Sequence, residues 1–366
     1  MDFRPSSSQQ LLVTTAREFL KKACPPEVSQ RLALDPGGLD AALWRNMAEL
    51  GWPGLLVPSD FGGSDGSLLD VILLVEEMGR VGLPGPFVAS AVVATSLLVA
   101  AGSIEQQKRL LPALAAGERI ATLALVEASG SFDPHHLSLR CDVPGRLTGA
   151  KLFVKDAHLA DDLIVALAGG DLLLLPTARR GIARLPLETL SGEKSCEVTF
   201  DEVEVREEDR LAGVGRGADA LAAALTAGAL ARTAEMVGAA QRVLELAVEH
   251  ARTRVQGGRP IGGHQAIQHA CADLVRDVDS ARALLYGAAW AVDEGRPAAG
   301  DVATAKAYAG EACLTVARRG HQIFGAIGYC EEHPLHLLHK RIQAASVDFG
   351  DAALHLETVA RTIGLQ

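Results

Sequence analysis

Along residues 1–120 the apolar positions recur at helical spacing. SSQQLLVTTAREFLKKA (7–23) predicts a helix with serine available as its N-cap. DAALWRNMAELG (40–51) predicts one that stops at Gly51, since glycine closes a helix in the left-handed region without steric cost. LLDVILLVEEMGRVG (68–82) and SIEQQKRLLPALAAGE (103–118) repeat the pattern, and LVPSDFGGSDGS (56–67) is a glycine-rich connection. Between Arg80 and Glu105 the chain is uncharged and long enough to span a bilayer. Pro84 and Pro86 break the start of that stretch, and Ala, Ser and Thr dilute it, so it reads as a buried helix and not as a membrane span.

From residue 121 the period changes. RLTGAKLFV (146–154), DLIVAL (162–167), DLLLLP (171–176) and SCEVTFDEVEV (195–205) are short apolar or alternating runs bounded by Gly, Pro and Asp. Val198, Phe200, Val203 and Val205 fit a half-buried strand with one irregularity. After residue 217 the helical period returns in four long runs, 217–255, 263–294, 299–326 and 335–363, separated by GGRPIGG, GRPAAG and YCEEHP. The expected fold is α+β, mainly α. It comprises an N-terminal helical domain (1–120), a small middle β domain (121–208) and a C-terminal four-helix bundle (209–366).

Composition agrees with that plan. Of 366 residues 48% are hydrophobic but only 4% aromatic, so Ala and Leu carry the burial, which favours helices. The net charge of −10, with no basic stripe interleaved with aromatics, argues against a nucleic-acid partner. The six cysteines contain no CxxC pair and read as reduced thiols of a cytoplasmic protein, and the N-terminus lacks the form of a signal peptide.

Several local patterns carry possible chemistry. GVGRGA (213–218) resembles a phosphate-cradling loop but lacks the βαβ context such a loop needs, and reads as a flexible entry to a helix. His336 and His339 are spaced i, i+3, yet no HExxH pattern or completing ligand accompanies them, so no metal is expected; His333, before Pro334, reads as a helix start. RTRVQGGRPIGGHQAIQH (252–269) offers Arg254 for a phosphate and Gln265 for a purine edge, or is simply a polar turn between helices. In HQIFGAIGY (321–329), Gln322 precedes Gly325, Ala326 and Gly328, where backbone can approach a ligand closely. In AASVDFGD (344–351), Asp348 and Asp351 are either a candidate base or a solvated helix break.

Together these segments resemble the acyl-CoA dehydrogenase family. RTRVQGGRPIGGHQAIQ is similar to its RxxFGxPIxxFQ turn and QIFGAIGY to its QxxGGxGY turn. LGWPGLLVPSDFGG, VEEMGR, EQQKRLLPALAAGE, LTGAKLFV and FDEVEV follow in the family's order over nearly the whole chain. The resemblance implies FAD, an acyl-CoA oxidised to its 2,3-enoyl thioester, and an electron-transferring flavoprotein as acceptor. It also implies that Arg254, Gln256, Gln322, Gly325 and Ala326, with Gln265 nearby, reach the adenine half of a neighbouring subunit's FAD.

The chain departs from the family at the chemistry. The usual catalytic Glu falls on Phe349, and the alternative position on the first bundle helix falls on Gly228. In the flavin-ring pocket Val126 replaces a hydroxyl residue, and Phe153, Val154 and Lys155 replace a Trp-Ile-Ser/Thr strand. This combination resembles the paired α2β2 acyl-CoA dehydrogenases of actinobacterial steroid side-chain degradation, in which one subunit type is catalytically incomplete. The resemblance therefore implies a sister-subunit partner and a bulky, steroid-derived acyl group, with Gly228 and Ala229 leaving room for it. Two other readings stay open: a self-sufficient homotetramer using Asp348 or Asp351 as a displaced base, and a non-enzymatic acyl-CoA-binding or scaffolding relative.

Overall fold

The computed structural model describes residues 5–142, 145–211 and 217–365. The chain is mainly helical with a small region of strands, as the periodicity predicts. The N-terminal helices are α1 (Ser7–Ala23), α2 (Pro26–Leu34), α3 (Ala41–Glu49), α4 (Leu68–Val81), α5 (Thr95–Ala101) and α6 (Ile104–Ala115). Strands β1 (Ala121–Ala124), β2 (Cys141–Asp142), β3 (Arg146–Lys155), β4 (Asp162–Ala166), β5 (Leu172–Pro176), β6 (Ile182–Leu187), β7 (Ser195–Glu204) and β8 (Arg210–Leu211) follow. The chain then runs through α7 (Gly217–Thr253), the short hairpin β9 (Val255–Gln256) and β10 (Arg259–Pro260), α8 (Gln265–Asp293), α9 (Ala299–Phe324), α10 (Leu335–Val347) and α11 (Ala352–Thr362).

The helix signals in the sequence act as read. Ser6 caps α1 through a reciprocal capping box with Gln9, and Gly51 closes α3 at φ +76°. The uncharged stretch becomes a buried π-helical run, Phe87–Ala94, continuing into α5 and ending at Gly102. Among the described residues one helix, α7, is long and apolar enough to cross a membrane, and 78% of its most apolar window is buried within the protein. Most of GVGRGA lies outside the described residues; Gly217 and Ala218 form the first turn of α7.

The fourth long run is not one helix. It is split into α10 and α11 at 348–351, because Asp348 leaves helical geometry and Phe349 and Gly350 take positive φ, +57° and +99°. Apolar periodicity continues across the break, so periodicity alone does not reveal it.

The chain divides into two compact units. The first comprises the described parts of Met1–Arg31, Leu68–Leu83 and Ala229–Gln366. In it α4 and α7 cross with their backbones in contact: a Cβ on Gly79 would stand 2.3 Å from the Glu235 carbonyl oxygen, and one on Gly238 1.9 Å from that of Glu76. Buried carboxylates on α4 are matched from two helices, α1 and α8. Glu77 accepts from Arg17 at 2.6 and 2.9 Å, and Glu76 accepts from Arg282 at 2.9 Å and from the Tyr286 hydroxyl at 2.7 Å. Asp293 caps the start of α4 by accepting from the Leu68 and Leu69 amides.

The second unit comprises Leu32–Ser67 and the described parts of Pro84–Gly228. Its strands form two four-stranded sheets, ordered β1-β4-β5-β8 and β2-β3-β7-β6. β1 pairs β4 in parallel; the other pairs are antiparallel. Leu147, Leu163, Val165, Leu173, Leu175, Val198, Phe200 and Val203 build one core with residues of both sheets. The irregularity expected in β7 lies at Glu202, whose φ of +52° lets Phe200 and Val203 both point inward.

Candidate active site and cofactor platform

The two carboxylates of AASVDFGD are both committed to structure. Asp348 ends α10 with its side chain turned into the bundle, 11% exposed, and its Oδ2 lies 2.7 Å from the guanidinium of Arg232 on α7. Arg232 also donates to Glu235 at 2.5 Å, and Glu235 accepts from Arg341 of α10 at 2.6 and 3.0 Å. The result is a buried chain of alternating charges, Asp348–Arg232–Glu235–Arg341, each side chain no more than 11% exposed. Asp351 is exposed and caps α11, its Oδ1 accepting from the Leu354 amide at 3.0 Å. Phe349 lies between them, half-buried and in the left-handed region. Gly228, the alternative base position, is a buried residue of α7.

Lys306 of α9 lies behind this break. It is 1% exposed, and its ammonium donates to the carbonyls of Ala345, Ser346 and Gly350 at 3.1, 2.8 and 3.0 Å. Burial pushes it down to about 8, against the pull of the Asp348 carboxylate. His355 Nε2 donates to the Phe349 carbonyl at 3.0 Å. The sequence reading missed Lys306, Arg232 and Arg341. A signal was present for Arg232: it stands with Glu235 at i, i+3 inside an otherwise small and apolar run, GALARTAEMVGAA.

The predicted cofactor-contact residues of the first unit gather at exposed positions. Arg254, Gln256, Gln265, Gln322, Gly325 and Ala326 are all exposed. Gly257 and Gly258 turn the β9–β10 hairpin at positive φ, and the Ile261 amide bonds back to the Arg254 carbonyl at 2.8 Å. The ends of α7 and α9 are joined by stacking of His250 on Phe324 at 4.4 Å, and His333 makes a tilted contact with the same ring at 4.5 Å. His321, 2% exposed, stacks on Tyr329 at 4.4 Å; burial, then the nearby His339 and His336, lower it to about 4. A cation, three carboxamides and an open glycine at φ +67° are a donor set suited to the phosphate and adenine end of a dinucleotide.

The predicted flavin-ring residues of the second unit are a poor match to a ring. Val126 is a buried apolar residue whose carbonyl accepts from the Leu152 amide at 2.7 Å. Phe153 sits at a bulge with φ +53° and is 55% exposed; Lys155 is drawn to Glu193 at 3.1 Å. Beside them lies a buried pair the sequence reading also missed. Lys151, fully buried, donates to Glu127 at 2.7 Å and to the Leu125 carbonyl at 2.9 Å. Burial favours a neutral Glu127, but Lys151, the Ser138 hydroxyl and amide and the Leu139 amide outweigh it and lower the carboxyl to about 2. The 125–127 segment is thus bonded to β3 by its own side chain and backbone.

Comparison with known proteins adds to this geometry. The profile for the acyl-CoA dehydrogenase C-terminal domain matches residues 215–364, and that for the N-terminal domain matches 6–118. The chain is 32% identical to acyl-CoA dehydrogenase IpdE2 of Mycobacterium tuberculosis over 93% of its length and 92% of that protein's. It superimposes with a TM-score of 0.92 on butyryl-CoA dehydrogenase from Megasphaera elsdenii, at 26% identity over 99% of this chain and 100% of that one. It superimposes equally well, 0.92 at 29% identity and with both chains fully covered, on a chain of the ChsE4–ChsE5 complex from Mycobacterium tuberculosis.

Proposed function

This chain belongs to the acyl-CoA dehydrogenase family, whose members depend on FAD, and we propose that it serves there as a catalytically incomplete partner subunit. In this reading a sister subunit supplies the base and the flavin ring site for α,β-dehydrogenation of an acyl-CoA. Arg254, Gln256, Gln265, Gln322, Gly325 and Ala326 of this chain hold the phosphate and adenine end of the sister's FAD. When bound, the flavin supplies the hydride acceptor; this chain's residues bind and orient its far end. The relative ChsE4–ChsE5, solved as a two-component complex, supports the pairing.

The observation that carries the reading is the state of 348–351. A general base must come within hydrogen-bond reach of the proton it takes. Asp348 would have to leave a buried ion pair with Arg232, a loss that is costly even though Glu235 stays on the guanidinium. Asp351 would have to give up the α11 cap, and Phe349 has no proton acceptor. These commitments argue against the displaced-base homotetramer. We further propose a bulky, ring-bearing acyl group, an electron-transferring flavoprotein as acceptor and a cytoplasmic setting. The test is co-expression with candidate sister acyl-CoA dehydrogenase subunits from the same genome, followed by flavin and activity measurements on the lone chain and on any complex formed.

A further inference from the structure

The turn between α10 and α11 holds a non-glycine residue, Phe349, in the left-handed region, which is sterically costly and persists only where surroundings enforce it. The enforcing contacts come from outside the turn. An ammonium has three hydrogens, and Lys306 places all three on carbonyls on either side of Phe349: Ala345 and Ser346 before it, Gly350 after it. The Phe349 carbonyl is taken by His355. Gly350 leaves room for that arrangement, since a Cβ there would stand 2.6 Å from Leu354 Cδ2. With the carbonyls fixed, the Asp348 side chain is aimed into the bundle at Arg232.

We propose that Lys306 is the positioning residue of this turn: its ammonium, and not the identity of residue 349, fixes the backbone at the place where the family's base acts. The inference rests on the reading of position 349 given above and deepens it, because it makes the turn a retained frame from which only the reacting side chain is missing. Lys306 is not needed there as packing. It is fully buried beside α10, where a methionine of similar length would bury more apolar surface with no ammonium to desolvate.

Amide hydrogen exchange on the full chain, comparing wild type with Lys306→Gln and Lys306→Met, tests this. The side chains are similar in length but carry three, two and no donors. Donor-based positioning predicts that exchange in peptides covering 344–354 rises in that order, reaching about tenfold or more in the methionine variant, while α8 is unchanged. A packing role predicts methionine equal to or better protected than glutamine; that order, or a rise shared equally by α8, overturns the proposal. If the methionine variant does not fold, glutamine against wild type carries the test: a local rise supports the proposal and no rise overturns it. The readout uses neither flavin nor acyl-CoA, so its failure is distinct from failure of the partner-subunit reading, which flavin content decides.

Discussion

The Asp348 carboxylate meets the Arg232 guanidinium at 2.7 Å inside the helical bundle, one residue before the position where the family carries its base. That contact holds the carboxylate in a buried ion pair and ties α10 to α7. Arg232→Met leaves Asp348 and one side of Glu235 without their cation, and should lower unfolding stability by about 3–5 kcal/mol in urea titrations. The double variant Arg232→Met with Asp348→Asn should lose less than the sum of the single losses, since the uncompensated charge is gone.

Gly350→Ala should destabilise the chain by about 1–3 kcal/mol. The added Cβ meets Leu354 at 2.6 Å and His355 Nε2 at 3.0 Å, and the residue's φ of +99° suits glycine alone. Thermal unfolding measures the loss. Ala at Gly257, also at positive φ but with open space around its Cβ, should cost less.

Acid should weaken the first unit through His321. Its folded value, about 4, lies below the ordinary 6.5, so the unfolded chain takes the proton first. The stability is complete above pH 6.5 and is lost progressively as pH falls from 6.5 toward 4. His321→Phe should flatten the melting temperature across that window, as followed by a thermal melt at half-unit intervals.

Glu127 acts lower on the pH scale. Its folded value, about 2, lies below the ordinary 4.5, so its contribution is full above 4.5 and lost as pH falls through 2. Lys151→Met should abolish most of this dependence and destabilise the second unit at neutral pH, because it leaves a buried carboxylate without its cation. Comparing acid titrations of the two proteins by circular dichroism checks both points.

The plan of helices and strands was legible because capping residues and period mark it directly, as Ser6, Gly51 and the β7 alternation show. The proposed cofactor-contact residues Arg254, Gln256 and Gln265 could be grouped from the sequence because one short turn carries all three. What stayed hidden depends on pairing across distance. Lys306 is 39 to 44 residues from the carbonyls it holds, and Lys151 is 24 from Glu127, so each looks like an ordinary polar position of a helix or strand. The α10–α11 break was half legible: AASVDFGD offered a helix break as one reading, but the apolar period runs on across it and the lysine that braces it is distant in sequence.

Arg254→Ala with Gln322→Ala should leave the lone chain's stability within about 0.5 kcal/mol, since both side chains are exposed. In a complex with a sister dehydrogenase, the same pair should weaken FAD retention about tenfold or more, read by flavin released on gel filtration.

Flavin content tests the central claim most directly. Purified alone, the chain should carry little flavin and no acyl-CoA dehydrogenase activity. Co-expressed with its sister dehydrogenase subunit, the complex should be yellow, with one FAD for each sister chain and none added by this one. A lone chain that holds one FAD per protomer and oxidises acyl-CoA, with activity abolished by Asp348→Asn, would contradict the account.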